Sequence, residues 1–160
     1  MIKIIHATTS EHFRQARLLF EEYAESLDFE LDFQEFDIEL KEIHTIYAPP
    51  AGCLLLAREN EKAIGCVALR KIDKKICEMK RLYVNPNHRG KDISRMLAEQ
   101  IIQEAKQIGY FRMRLDTVPS MKIARSLYRS LGFTEIEPYR FNPIGGTSFM
   151  ELKIAMINEQ

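Results

Sequence analysis

Tryptophan is absent from this chain and cysteine is scarce. Cys53, Cys66 and Cys77 are an odd set of three with no Cys-x-x-Cys spacing. That argues against a disulfide framework; reduced core thiols in a cytoplasmic protein are expected. No apolar run approaches the roughly 18 residues that a membrane span needs. The opening MIKIIHATTS lacks the charged start and long apolar stretch of a secretory signal. Net charge is lacking too: 23 Lys and Arg balance 23 Asp and Glu, which disfavours a dedicated nucleic-acid binder. His6, His12, His44 and His88 are dispersed without metal-ligand spacing, so no metal site is expected. Gly-x-Ser-x-Gly, Walker A and Gly-x-Gly-x-x-Gly motifs are all missing.

What remains is an ordinary globular composition. The 160 residues are 46% apolar and 29% charged, enough for one core in a single domain spanning 1–160. Charge is unevenly placed: Glu21 to Glu42 holds ten carboxylates against Lys41 alone. This is either a solvated helix face or an acidic approach for a cationic substrate. Ile2, Ile4 and Ile5 predict a first strand. Thr8 and Glu11 form a Thr-x-x-Glu capping box for a helix through Ala24. Phe33 to Tyr47 reads as a second helix, stopped by Pro49-Pro50. Cys53–Arg58, Ala63–Arg70 and Cys77–Val84 are successive strands, with Gly65 marking a bulge. A helix from Ile93 to Ile108 ends at Gly109. Then follow a strand Phe111–Thr117, a helix Ser120–Leu131 closed by Gly132, and strands Phe133–Ile136 and Ser148–Ile154. The Val84-helix-Phe111 unit requires a parallel crossover. The expected class is α/β (α+β): a mixed, mostly antiparallel sheet of about six or seven strands with helices on both faces.

The most informative stretch runs from Val84 to Leu97, VNPNHRGKDISRML. A strand empties through a basic, glycine-containing turn straight into a helix N-terminus. Unpaired backbone N–H groups and the helix dipole then converge on one spot, a site for phosphates. Arg89, Lys91 and Arg95 add positive charge.

Element order and motifs together resemble the GNAT superfamily of N-acetyltransferases. The family's Arg/Gln-x-x-Gly-x-Gly/Ala signature falls on Arg89, Gly90, Lys91, Asp92, Ile93 and Ser94. Its Ala-x-x-Leu-Tyr-x-x-x-Gly-Phe pattern falls on Ala124, Leu127, Tyr128, Gly132 and Phe133. The resemblance implies acetyl-CoA as cofactor. It assigns Leu82, Tyr83 and Val84 to the pantetheine arm and Arg89 to Ser94, with Arg95, to the pyrophosphate. Ala124 and Tyr128 complete the cofactor set. Tyr128 is implied as the general acid that protonates the leaving thiolate. Glu78 matches the general base that some members use, with pairing to a neighbouring Lys or Arg as the equal alternative. Strand alternation places Glu78, Lys80 and Leu82 on one face and Met79, Arg81 and Tyr83 on the other. A backbone N–H near Leu82–Tyr83 is the expected oxyanion donor. Three positions depart from the family: Asp92 stands where glycine is usual, Ser94 where glycine or alanine is, and Met121 where an asparagine is. A carboxylate repels a pyrophosphate. Asp92 is therefore expected to turn away and cap the helix at Ile93, worth about 1 kcal/mol.

The expected activity is acetyl transfer to a primary amine of a small molecule or peptide. It proceeds by direct attack in a ternary complex, since no nucleophile for a covalent intermediate is evident. The alternative is a catalytically silent CoA-binding sensor or interaction module. In the family the acceptor meets the first two helices and the last loop, here Glu137–Thr147. The acidic cluster favours a cationic amine; Arg140, Arg14 and Arg17 favour an acceptor carrying a carboxylate. The sequence leaves both open. No nucleic-acid or membrane partner is expected, and a homodimer is allowed.

Overall fold

A computed structural model describes residues 1–27, 35–90 and 92–154. The chain runs β1 (Ile2–His6), α1 (Ser10–Ser26), α2 (Phe36–Lys41), α3 (Ile43–Ile46), β2 (Cys53–Glu59), β3 (Lys62–Lys71) and β4 (Ile76–Val84). It continues through α4 (Ile93–Ile108), β5 (Arg112–Thr117), α5 (Lys122–Ser130), β6 (Thr134–Ile136) and β7 (Ser148–Lys153). These strands form one seven-stranded sheet in the order β1-β2-β3-β4-β5-β7-β6. β4 and β5 run parallel across the α4 crossover; the other neighbours are antiparallel. This is the mixed sheet expected from the sequence.

Both faces of the sheet are buried. Cys53, Leu55 and Ala57 of β2 join Leu97 and Ile101 of α4 on one side. Leu54 and Leu56 join Ala16, Leu19, Phe20 and Ile43 of α1 and α3 on the other. A strand covered on both faces has no polar face to show, which is why β2 reads as a continuous apolar run. Burying each such leucine contributes about 1.5–3 kcal/mol. No helix among the described residues is long and apolar enough to cross a membrane.

Two helix expectations need correction. The capping box belongs to Thr9 and His12, one residue later than Thr8 and Glu11. Thr9 Oγ1 accepts from the His12 amide (3.1 Å), and His12 Nδ1 accepts from the Thr8 and Thr9 amides (3.0 and 3.3 Å). Glu11 is instead engaged by Arg14 (2.7 and 2.8 Å) and Gln15 (2.9 Å). The expected second helix is two short ones, broken at Glu42 (φ −104°, ψ 20°). At the break Arg17 Nε donates to the Leu40 carbonyl oxygen (2.9 Å), which competes with the helix for that acceptor. Phe33, and the Asp28, Glu30 and Asp32 part of the acidic cluster, lie outside the described residues.

Irregularities in the middle strands shape the site. At Gly65 a Cβ would lie 3.0 Å from the Tyr83 carbonyl oxygen and 3.1 Å from Leu97 Cδ1. Lacking one, it lets α4 seat closely on β3 and β4, and the β2–β3 register slips beside it. The β3–β4 register slips again between Cys66 and Ala68, opposite Arg81, whose φ of 60° is left-handed. This extra residue overturns the simple alternation expected in β4. Met79 and Leu82 now share the α4 side, while Lys80 and Tyr83 pair with Ala68 and Cys66 of the α1 side. Arg81 also faces α1 and α2.

β4 pairs with β5 only at Ile76↔Arg112, Cys77↔Met113 and Glu78↔Arg114. Beyond Glu78 the two strands part, while β5 stays paired with β7 through Thr117. The β4 edge from Met79 to Val84 therefore borders an opening.

Candidate active site

The opening leads directly to the basic turn. Asn85 starts a 3-10 turn at Pro86–His88, and its Oδ1 accepts from the Asn87 amide (3.0 Å). Gly90 (φ 87°) and Asp92 (φ 60°) are both left-handed, and α4 begins at Ile93. The first helical bond runs from the Met96 amide to the Asp92 carbonyl (3.0 Å). The amides of Ile93, Ser94 and Arg95 have no acceptor among the described residues. That is an uncapped helix N-terminus offering three N–H groups and the positive end of a dipole. Asp92 occupies the N-cap position as expected, but its side chain makes no capping bond, contrary to the role assigned to it. In the left-handed conformation the carboxylate does not fall over the N2 and N3 amides. It is exposed.

The basic side chains are partly committed. Arg89 Nε donates to the Val84 carbonyl (3.1 Å), and its guanidinium stacks 5.7 Å from the Tyr83 ring. Arg95 donates to Ser130 Oγ (2.7 Å), tying α4 to α5. Lys91 lies outside the described residues. Val84 and Ile93 are buried, and Leu82 and Ala124 are partly buried against the α4-side core.

Tyr128 lies on α5, buried and packed against Phe133 with ring centroids 5.7 Å apart. Its hydroxyl has no hydrogen-bond partner among the described residues. Burial pushes its pKa well up, helped by Tyr23 and Asp116. The phenol is thereby held protonated, and its electrostatic neighbours come from α1 and β5, on the two sides of the opening.

Glu78 is fully buried. Arg70 Nε donates to its Oε1 (2.8 Å). Tyr139 Oη donates to its Oε2 (2.7 Å), and Arg140 Nη2 donates to the same oxygen. Both carboxylate oxygens are occupied, and the β6–β7 loop is drawn onto the sheet. Tyr139 also packs on Phe149 at 5.3 Å.

Around the opening lie charged residues that sequence reasoning did not single out as site residues. Arg81 is buried and pairs twice with Glu39 (2.5 and 3.0 Å), which also accepts from Tyr47 Oη (2.6 Å). Lys80 is buried beside them. Arg114 donates to Glu151 (2.8 Å) and stacks on Tyr139. All are ordinary charged positions in sequence; only their burial distinguishes them. Of the arginines expected near the acceptor, Arg140 alone is brought to Glu78. Arg14 is held by Glu11 on the exposed surface, and Arg17 by Leu40. Away from the opening, the fold gathers His6, Cys53 and Glu104, each offering one ligand atom within 4.8 Å of the others. Their positions on β1, β2 and α4 give no spacing pattern a sequence could reveal. His6 is already 3.0 Å from Glu104, and burial raises the Cys53 thiol to about 12.

Over residues 13–133 the sequence matches the family described as acetyltransferase (GNAT) family. A Schizosaccharomyces pombe protein described as an uncharacterized N-acetyltransferase is 40% identical over 141 residues, 87% of this chain and 86% of its own length. A Dictyostelium discoideum protein of the same description is 30% identical over 216 residues, covering 96% of this chain and 99% of its own. The PaiA N-acetyltransferase of Thermoplasma acidophilum, solved in complex with coenzyme A, has the same fold. Its TM-score is 0.73 at 21% identity, covering 96% of this chain and 99% of that one. With a family match over residues 13–133 and two relatives that match along most of their length, the chain belongs to the GNAT acetyltransferase family.

Proposed function

We propose that the protein transfers the acetyl group of acetyl-CoA to a primary amine by direct attack in a ternary complex. The observation that carries this is the parting of β4 from β5 just upstream of the uncapped N-terminus of α4. The coenzyme A complex of the T. acidophilum relative supports the ligand. The amides of Ile93 and Ser94, with Gly90, Asp92 and Arg95 around them and Lys91 in the same turn, receive the pyrophosphate. The open edge at Leu82, Tyr83 and Val84 receives the pantetheine arm, and Arg89 closes the end of that edge. Ala124 and Tyr128 form the α5 wall.

The amine lone pair attacks the thioester carbonyl, and a backbone N–H of the β4 edge near Leu82–Tyr83 stabilises the oxyanion. Collapse breaks the C–S bond and expels the thiolate, Tyr128 donates its proton to the sulfur, and the proton released by the new amide nitrogen returns through water to the Tyr128 phenolate. Tyr128→Phe is expected to lower kcat by about a hundredfold or more, with acetyl-CoA affinity retained in calorimetric titration. A full rate in that variant would remove Tyr128 from the acid role. Acetyl-CoA binding without turnover on any amine would favour the silent sensor instead.

Glu78 is a positioning residue in this scheme. Arg70, Arg140 and Tyr139 already engage both of its oxygens, so neither is free to take a proton from an acceptor amine. Glu78→Gln is expected to raise the acceptor KM while leaving the acid limb of the kcat/KM pH profile in place. Loss of that limb would restore Glu78 as the general base. The three cysteines are buried free thiols, which supports a reducing, cytoplasmic setting.

A further inference from the structure

The α1 side of the opening contains Lys80, a buried lysine whose ammonium has no partner among the described residues. Lys80 is 8% exposed, and its Nζ makes no hydrogen bond or ion pair among the described residues. It stands on β4 between two ionic groupings. On one flank Arg70 and Arg140 share the single carboxylate of Glu78, leaving a surplus positive charge. On the other, Arg81 and Glu39 cancel. Across the opening, Asp116 accepts from Asn142 (3.2 Å). Burial without a counter-charge drives a lysine toward its neutral amine, and an anion placed beside it restores the charge.

We propose that the acceptor is an amine that also carries a carboxylate, and that Lys80 and Arg140 hold that carboxylate. This rests on the acetyl-transfer reading. The carboxylate then anchors the molecule on the α1 side of β4, with its amine directed at the opening. Burial lowers the Lys80 pKa to about 7; Arg81 and Arg70 lower it further, while Asp116 and Glu39 oppose the fall. An arriving carboxylate restores the charge, so binding above neutrality takes up a proton.

The test compares initial rates on L-α-amino acids with those on the corresponding α-amino amides, at saturating acetyl-CoA. Near neutral pH the amides hold more free amine, so unassisted transfer favours them. The preferred acid is expected to exceed its amide in kcat/KM by about tenfold or more. In Lys80→Met that ratio collapses toward one through a higher KM for the acid, with acetyl-CoA affinity retained as the check on folding. Acetylation of peptide amides with N-terminal Asp or Glu, in preference to free amino acids, supports the proposal and places the carboxylate on a side chain. Amides with neutral side chains that match or exceed their acids, with no preference for an N-terminal Asp or Glu, overturn it and leave acetyl transfer standing. Failure to bind acetyl-CoA overturns both. If acetyl-CoA binds and no amine turns over, titration of the CoA-loaded protein with N-acetylated amino acids decides. Binding with proton uptake, lost in Lys80→Met, supports the carboxylate site; absence of binding overturns it.

Discussion

At Asp92 one backbone angle limits the cofactor turn. A φ of 60° and ψ of 20° place a residue with a Cβ in the left-handed region. Aspartate tolerates that conformation better than most residues, yet at a cost glycine avoids. Its carboxylate is also a negative charge in a turn built for an anion. Asp92→Gly is expected to raise stability by roughly 1 kcal/mol and to tighten CoA binding. Thermal melts and calorimetric titration measure the two effects separately. Unchanged or weaker binding in the variant would remove the repulsion from the account. The anomaly itself was legible in the sequence, because glycine is usual there. Its failure to cap was not, since a side chain caps only when its own φ and ψ permit.

At the scale of elements, the bulge in β4 decides which side chains face the α1 side of the sheet. Arg81 occupies the extra position and turns onto Glu39 of α2, so the strand's irregularity is tied to a helix forty-two residues earlier. Arg81→Ala leaves Glu39 buried without its counter-charge, and a loss of about 3–5 kcal/mol is expected by urea unfolding. The same pair predicts acid sensitivity. Burial works against the Glu39 charge, but the hydrogen bonds and charge of Arg81 prevail and hold its pKa below the ordinary value. A depressed carboxyl contributes stability above the unfolded pKa, near 4.3, and loses it as pH falls through the lowered native value. Unfolding curves between about pH 3 and 6 should therefore fall less steeply in Glu39→Gln than in the parent. Neither the bulge nor the pair is written locally: Arg81 and Glu39 are unremarkable charged residues until the sheet and α2 bring them together.

Across the whole molecule, the opening exists because β4 is held by β3 while β5 is held by β7. A ligand lying between β4, α4 and α5 joins parts that the strand pairing leaves separate. Coenzyme A at a hundred times its Kd should stabilise the native state by about 2.7 kcal/mol, read as a rise of several degrees in Tm. A Tm that coenzyme A does not move would show that the native state does not bind it.

The sequence by itself determined the order of strands and helices, the parallel crossover and the basic, glycine-containing turn ahead of α4. These follow from hydrophobic periodicity, glycine and proline punctuation and a short contiguous motif, all local properties of the chain. Tertiary structure decided which charges are buried and with whom. Glu78 became a clamp for Tyr139 and Arg140, Lys80 was left without a partner, and the acidic stretch was partly spent on Arg81. Burial and long-range pairing depend on which faces the sheet covers, and one extra residue in β4 is enough to redirect them.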